Sequence, residues 1–197
     1  MKKIVFATHN KNKLKEVKDL LIKKYEVLGL TEIGFSEEII EDKKTITENS
    51  IEKVKFVKRK TGFDCFADDT GLEVNALNGK PGVFSKRFAG PNASSEDNIE
   101  KLLYLLNCKE NRSARFKTII SLHLNGEIKT FEGICKGDIA LKKMGKSGFG
   151  YDPIFIPENS KFSFGQMSMR DKNKIAHRGK AISCLLYTSP SPRDLHW

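Results

Sequence analysis

Apolar residues open the chain as one short continuous run, Ile4-Val5-Phe6-Ala7, which gives way to polar Thr8-His9-Asn10-Lys11. Such a run predicts a buried strand over residues 3–7, followed by a loop. The apolar spacing then changes. Leu14, Val17, Leu20 and Leu21 recur every three or four positions and predict a helix reaching about Lys24. Val27 to Leu30 reads as a second short strand, and the polar, acidic residues 31–44 as a loop. Thr45-Ile46-Thr47-Glu48 has the form of a capping box and opens a helix with Ile51, Val54 and Val57 on one face, ending near Gly62. Strands over 64–67 and 72–77 are expected to flank a turn at Asp68-Asp69-Thr70-Gly71, with a loop rich in turn formers over 78–93.

Ser94 or Ser95 caps the next predicted helix, whose inward face carries Ile99, Leu102, Leu103 and Leu106. Arg115 to Leu124 and Ile128 to Cys135 flank Asn125-Gly126, a strong two-residue hairpin signal. Gly137 to Leu141 suggests a further strand, residues 142–153 a glycine-rich loop, 154–156 a short strand, and a last helix begins near Ser168. That helical pattern breaks off before Tyr187, where Pro190 and Pro192 prevent continuation. The expectation is one domain over residues 1–186 and a non-native or disordered tail over 187–197.

Composition narrows the setting. The chain has 197 residues, of which 39% are hydrophobic and 30% charged, as expected for a globular protein. No apolar run is long enough to cross a membrane, and the basic start Met1-Lys2-Lys3 precedes too short an apolar run for a secretory signal, so a cytoplasmic location is expected. Cys65, Cys108, Cys135 and Cys184 are scattered and read as reduced thiols. The histidines are too dispersed for a zinc site. The net charge of +10 favours anionic partners. Its cations recur at helix starts instead of forming one basic stripe, which argues against nucleic acid as the partner.

Four stretches carry candidate chemistry. Asp68-Asp69 sets two carboxylates side by side after Cys65-Phe66-Ala67; a bound cation, a raised pKa or simple exposure on a turn would each relieve their repulsion. Lys11, Lys13 and Lys15 precede the first acid of their helix, Glu16, where the dipole disfavours cations unless an anion binds. Gly148-Phe149-Gly150-Tyr151-Asp152-Pro153 combines close backbone approach with aromatic faces for a base. Lys172, Lys174, His177 and Arg178 load another helix start with cations, Lys174 and Arg178 being aligned at i and i+4. Each has a bland reading as turn, core aromatic or solvated face. Together they supply what a nucleoside triphosphate with Mg²⁺ requires.

The ordered set Val5 to Lys13, Thr45 to Ser50, Ala67 to Leu72, Pro81 to Gly90, Gly148 to Phe155 and Lys172 to Ala181 resembles the HAM1-like inosine/xanthosine triphosphate pyrophosphatases. The resemblance implies an α/β fold, an elongated mixed sheet flanked by helices, with two lobes and a central cleft. It also implies a Mg²⁺-dependent homodimer that splits ITP, dITP and XTP between the α- and β-phosphates. By resemblance, Asp69 is the general base and a metal ligand, assisted by Asp68. Thr70 contacts substrate, as does the segment Thr8, His9, Asn10, Lys11, Asn12 and Lys13, with Thr8, Asn10 and Lys13 on the phosphates. Phe149, Gly150, Tyr151 and Asp152 form the base-binding loop, Lys172 contacts phosphate, and His177 and Arg178 recognise the purine. The chain departs from the family pattern at His9, often glycine there, and at Ile40, where a metal-binding glutamate is common; Glu41 is the substitute candidate. The family's last helix also usually continues where this chain turns into its tail. The rival readings are a house-cleaning pyrophosphatase with another base preference and a basic nucleic-acid-binding protein.

Overall fold

The computed structural model describes residues 2–22 and 24–188. In chain order these form β1 (Lys2–Phe6), α1 (Lys11–Leu21), β2 (Tyr25–Gly29), α2 (Ile46–Thr61), β3 (Cys65–Val74), β4 (Pro81–Gly82), α3 (Ser95–Leu105), β5 (Ser113–Leu124), β6 (Glu127–Ile139), β7 (Phe155–Pro157), α4 (Met169–Ile175) and α5 (His177–Thr188). The strands make one mixed sheet in the order β2-β1-β3-β5-β6-β7, with β4 on β3. The described residues divide into two compact units, the first within 2–69, 118–133 and 178–188, the second within 70–117 and 134–177.

In the first unit β1 pairs in parallel with both β2 and β3. Side chains alternate across a strand, so β1 and β3 each feed two cores. Ile4, Phe6 and Phe66 pack with Val17 and Leu21 of α1 and Ala181, Ile182 and Leu185 of α5. Val5, Ala7, Cys65 and Ala67 pack with Val54 and Val57 of α2. The Phe6 and Phe66 rings stack at 4.6 Å. The second unit packs α3 through Ile99, Leu102 and Leu106 against Leu72, Val74, Ala114, Phe116, Cys135, Ile139, Ile154, Phe155 and Phe164.

Local signals explain several boundaries. The α2 capping box is formed: Thr45 Oγ1 accepts from the Glu48 N–H at 3.1 Å and Glu48 Oε2 accepts from the Thr45 N–H at 3.0 Å. Asn125 and Gly126 both take positive φ, 51° and 84°, as the hairpin turn between β5 and β6 requires.

Several expectations need correction. Asp68 and Asp69 lie inside a continuous ten-residue strand, not on a turn. The strand persists past them because Leu72 and Glu73 pair with β4, and because cations from helices meet both carboxylates. The strand expected at Gly137 to Leu141 is the end of β6, held by antiparallel pairing with β7. The last helix is two helices: Ala176 adopts an extended ψ of 158°, ending α4 before α5 begins. Lys174 and Arg178 therefore share no helix face. The first helix stops at Leu21, short of Lys24. Of the tail, Tyr187 and Thr188 belong to α5, and residues 189–197 lie outside the described residues.

Candidate active site

Alternation along β3 separates the two adjacent carboxylates. Asp68 follows Phe66 onto the face covered by α1 and α5; Asp69 follows Cys65 and Ala67 onto the face covered by α2. Both are buried.

Asp68 is enclosed by cations. Its Oδ1 lies 3.0 Å from Lys13 Nζ, and its Oδ2 accepts from Arg178 Nε at 3.0 Å and Nη2 at 2.9 Å. Arg178 Nη1 donates to Glu16, a buried acid of α1. Burial alone would push the Asp68 carboxyl up. The charges of Lys13, Arg178 and Lys53 outweigh it and hold the group well below the usual carboxylate range. The same acids push the Arg178 guanidinium above its ordinary value despite burial.

Asp69 is treated differently. Its Oδ2 accepts from Asn49 Nδ2 at 3.1 Å and its Oδ1 is 3.6 Å from Lys53 Nζ. Burial raises its pKa, Lys53 and Lys13 oppose the rise, Glu41 adds to it, and the balance stays upward. Two neighbouring carboxylates thus have their affinities for protons pushed in opposite directions.

Lys53 joins Asp69 to the loop before α2. Its ammonium pairs with Glu41 and donates to the Asp68 carbonyl at 2.9 Å. Burial lowers its pKa, but Asp69, Glu41 and Asp68 more than reverse that and keep it cationic. Oxygens from Asp69 and Glu41 therefore converge on one cation. Among the described residues no three His, Cys, Asp or Glu side chains gather as a metal-ligand set. Asp68, expected to assist the metal beside Asp69, lies on the other face of the strand.

The loop after β1 is built around Asn10, whose Oδ1 accepts from the N–H groups of Asn12 at 3.0 Å and Lys13 at 3.1 Å and so caps α1. Thr8 Oγ1 accepts from the Asn10 N–H at 3.1 Å. The first turn of α1 holds no acid. Lys11 and Asn12 are exposed, and His9 turns toward Glu37, described below.

The remaining predicted residues belong to the second unit. Asp152 Oδ2 accepts from the Phe149 N–H at 2.7 Å and from Lys172 Nζ at 2.6 Å. The same ammonium lies 4.9 Å from the centre of the Phe149 ring. Gly148 and Gly150 have φ of 78° and 60°, and a Cβ on Gly148 would meet Asp152 Oδ2 at 2.0 Å, so glycine is required there. Tyr151 is buried in the apolar cluster, and its hydroxyl donates to the Ser85 carbonyl at 2.9 Å. His177 stacks on Phe116 at 4.5 Å within that cluster. Thr70 is half-buried in β3.

Phe149, Asp152 and Lys172 are thus brought together, whereas Tyr151 and His177 are packed as core rings. Arg178, expected to read the purine, is engaged by Asp68 and Glu16. Lys53, Asn49 and Glu16 went unpredicted. The first two had a signal: Asn49, Ser50 and Lys53 fall on the inward stripe of α2 with Ile46, Val54 and Val57.

A family model described as the Ham1 family matches residues 4–188. The dITP/XTP pyrophosphatase of Christiangramia forsetii is 50% identical over 184 residues, covering 93% of this chain and 97% of that protein. The dITP/XTP pyrophosphatase of Bacillus subtilis is 43% identical over 189 residues, covering 94% and 96%. The Ham1 protein of Staphylococcus aureus superposes with a TM-score of 0.84 at 40% identity, covering 94% of this chain and 97% of that one.

Proposed function

The chain belongs to the Ham1 family, and on that premise we propose that it hydrolyses deaminated purine nucleoside triphosphates to monophosphate and pyrophosphate. The observation that carries this reading is the split pair on β3. Asp68 is an ion-paired anchor, and Asp69 is a buried carboxylate of raised pKa beside Lys53 and Glu41. The setting is the cytoplasmic nucleotide pool. Among the described residues, no helix is long and apolar enough to cross a membrane.

A divalent cation suits this donor set. Mg²⁺ takes one or two protein carboxylates and fills its other positions with water and substrate phosphate. Asp69 and Glu41, already converging on the Lys53 ammonium, are the two that would hold it. When bound, the ion supplies charge neutralisation at phosphate oxygens. Asp69 would accept the proton of the water that attacks the α-phosphorus. Asn49 and Lys53 fix the direction of the Asp69 carboxylate. Lys13, whose ammonium also meets Asp68, offers a cationic group to phosphate at the start of α1. By the family resemblance Phe149 is assigned to the base and Lys172, whose ammonium is held by Asp152, to phosphate. A donor placed for the purine 6-keto oxygen would face the amino group of adenine.

The test is a panel of ITP, dITP, XTP, ATP and GTP with and without Mg²⁺, both products being identified. Monophosphate and pyrophosphate should form, with ITP preferred over ATP by about 100-fold or more in kcat/KM. Equal rates for ITP and ATP would remove the base reading. A preference for modified pyrimidines would replace it with another house-cleaning specificity, and salt-sensitive DNA binding without hydrolysis would overturn the enzyme. The homodimer implied by the resemblance is part of the same proposal; sedimentation of the active protein as a monomer at micromolar concentration would remove it.

A further inference from the structure

His9 sits in the loop between β1 and α1, next to Thr8 and Asn10, yet its ring leaves that loop. Its Nε2 lies 2.9 Å from the Glu37 carbonyl, so Nε2 carries the proton and donates. The ring also stacks on Phe35, with centroids 6.3 Å apart and planes 18° from parallel. Phe35 meets Phe56 of α2 edge-on at 6.1 Å. The cations of Arg59 and Lys60 lie over the Phe56 ring at 5.6 and 5.7 Å. Lys60 also pairs with the Glu37 carboxylate at 2.8 Å.

The segment held this way, residues 35–44, contains no helix or strand. It carries Glu41. Its far end is fixed where the Lys43 N–H donates to Asn49 Oδ1 at 3.0 Å, the same Asn49 that donates to Asp69. Glu41 therefore lies between two pins, the near one shared by His9 and the Lys60–Glu37 pair, with Ile39 packed on the apolar core and the Glu41 carboxylate itself on Lys53. The backbone of such a segment makes no ladder of its own, so each pin removes a large share of its freedom.

We propose that His9 is a positioning residue that latches the segment 35–44 to the phosphate loop and so holds Glu41 beside Lys53 and Asp69. It acts through Glu41 and not by touching substrate. The latch joins the anion-binding loop to the carboxylate that completes the cation site, and a residue without a ring and donor at position 9 makes neither contact. This inference rests on the proposed pyrophosphatase reading for its kinetic part only.

The first test is hydrogen exchange by mass spectrometry on the full chain without nucleotide or metal. His9→Ala should speed exchange of the amides in 36–44 by about three- to tenfold, the worth of one hydrogen bond with its ring contact. His9→Gln, which keeps a donor near the Nε2 position, should restore part of the protection, while distant amides stay unchanged. Unaltered exchange in His9→Ala overturns the latch whatever the enzyme does. The second test is kinetic. His9→Ala should lower kcat for ITP by a similar factor with little change in KM, and the same change in a Glu41→Ala background should have less than about a twofold effect. An equal loss in both backgrounds shows that His9 acts independently of Glu41 and overturns the proposal. If the wild-type chain hydrolyses no nucleotide, the function fails and the exchange result alone judges the latch.

Discussion

Asp69→Asn is expected to reduce kcat/KM for ITP by about 10²–10⁴-fold while leaving the protein folded. Asparagine keeps the shape of the side chain and an oxygen for Asn49 Nδ2, now 3.1 Å from Asp69 Oδ2, but it cannot take a proton from water. Lys53 loses one partner and retains Glu41 and the Asp68 carbonyl. Stability should move the other way. A carboxyl whose folded pKa is raised contributes stability below its unfolded pKa and loses it as pH rises through the folded value. At neutral pH the ionised Asp69 therefore costs stability, and its uncharged isostere should melt at the same temperature or higher. Strain of this kind is typical of a residue kept for chemistry. Pyrophosphate release and thermal melting, run on one preparation, check both halves. Turnover within tenfold of wild type would remove Asp69 from proton transfer.

The same residue shows what the sequence could convey. Apolar runs, helical spacing and caps are local, and β1, α1, the Thr45–Glu48 box and the Asn125-Gly126 hairpin are legible because their signals lie within a few residues. Asp68-Asp69 reads as a turn because aspartate is poor in strands and paired charges avoid burial. What permits the strand is supplied by Lys13, Lys53 and Arg178, each remote in sequence. The break at Ala176 is likewise silent. Alanine is the best helix former, and the break falls where its neighbours are held apart, His177 on Phe116 and Arg178 on Asp68. The family motifs locate the site residues without giving their partners. Lys172 and Arg178 both read as cations for a ligand, yet one lies on Asp152 and Phe149 and the other between Asp68 and Glu16.

Arg178→Leu is the change expected to cost most in stability, about 3–5 kcal/mol, because it leaves two buried acids facing an apolar side chain. Asp68 would keep Lys13 and lose two charged donors; Glu16 would lose the guanidinium that meets it. Urea unfolding at neutral pH measures the loss. The pH dependence follows from the sign of the Asp68 shift. Its folded pKa lies below its unfolded value near about 3.9, so the ionised carboxylate contributes stability above that pH and loses it as pH falls toward the folded value. Wild type should therefore lose stability between about pH 4 and pH 2, and Arg178→Leu, with a weaker depression, should lose less over that interval. The variant also separates two roles for this arginine. If the guanidinium anchors Asp68, the fraction of protein that remains folded should keep its ratio of ITP to ATP turnover. If it reads the purine, that ratio should collapse while the unfolding free energy stays near wild type.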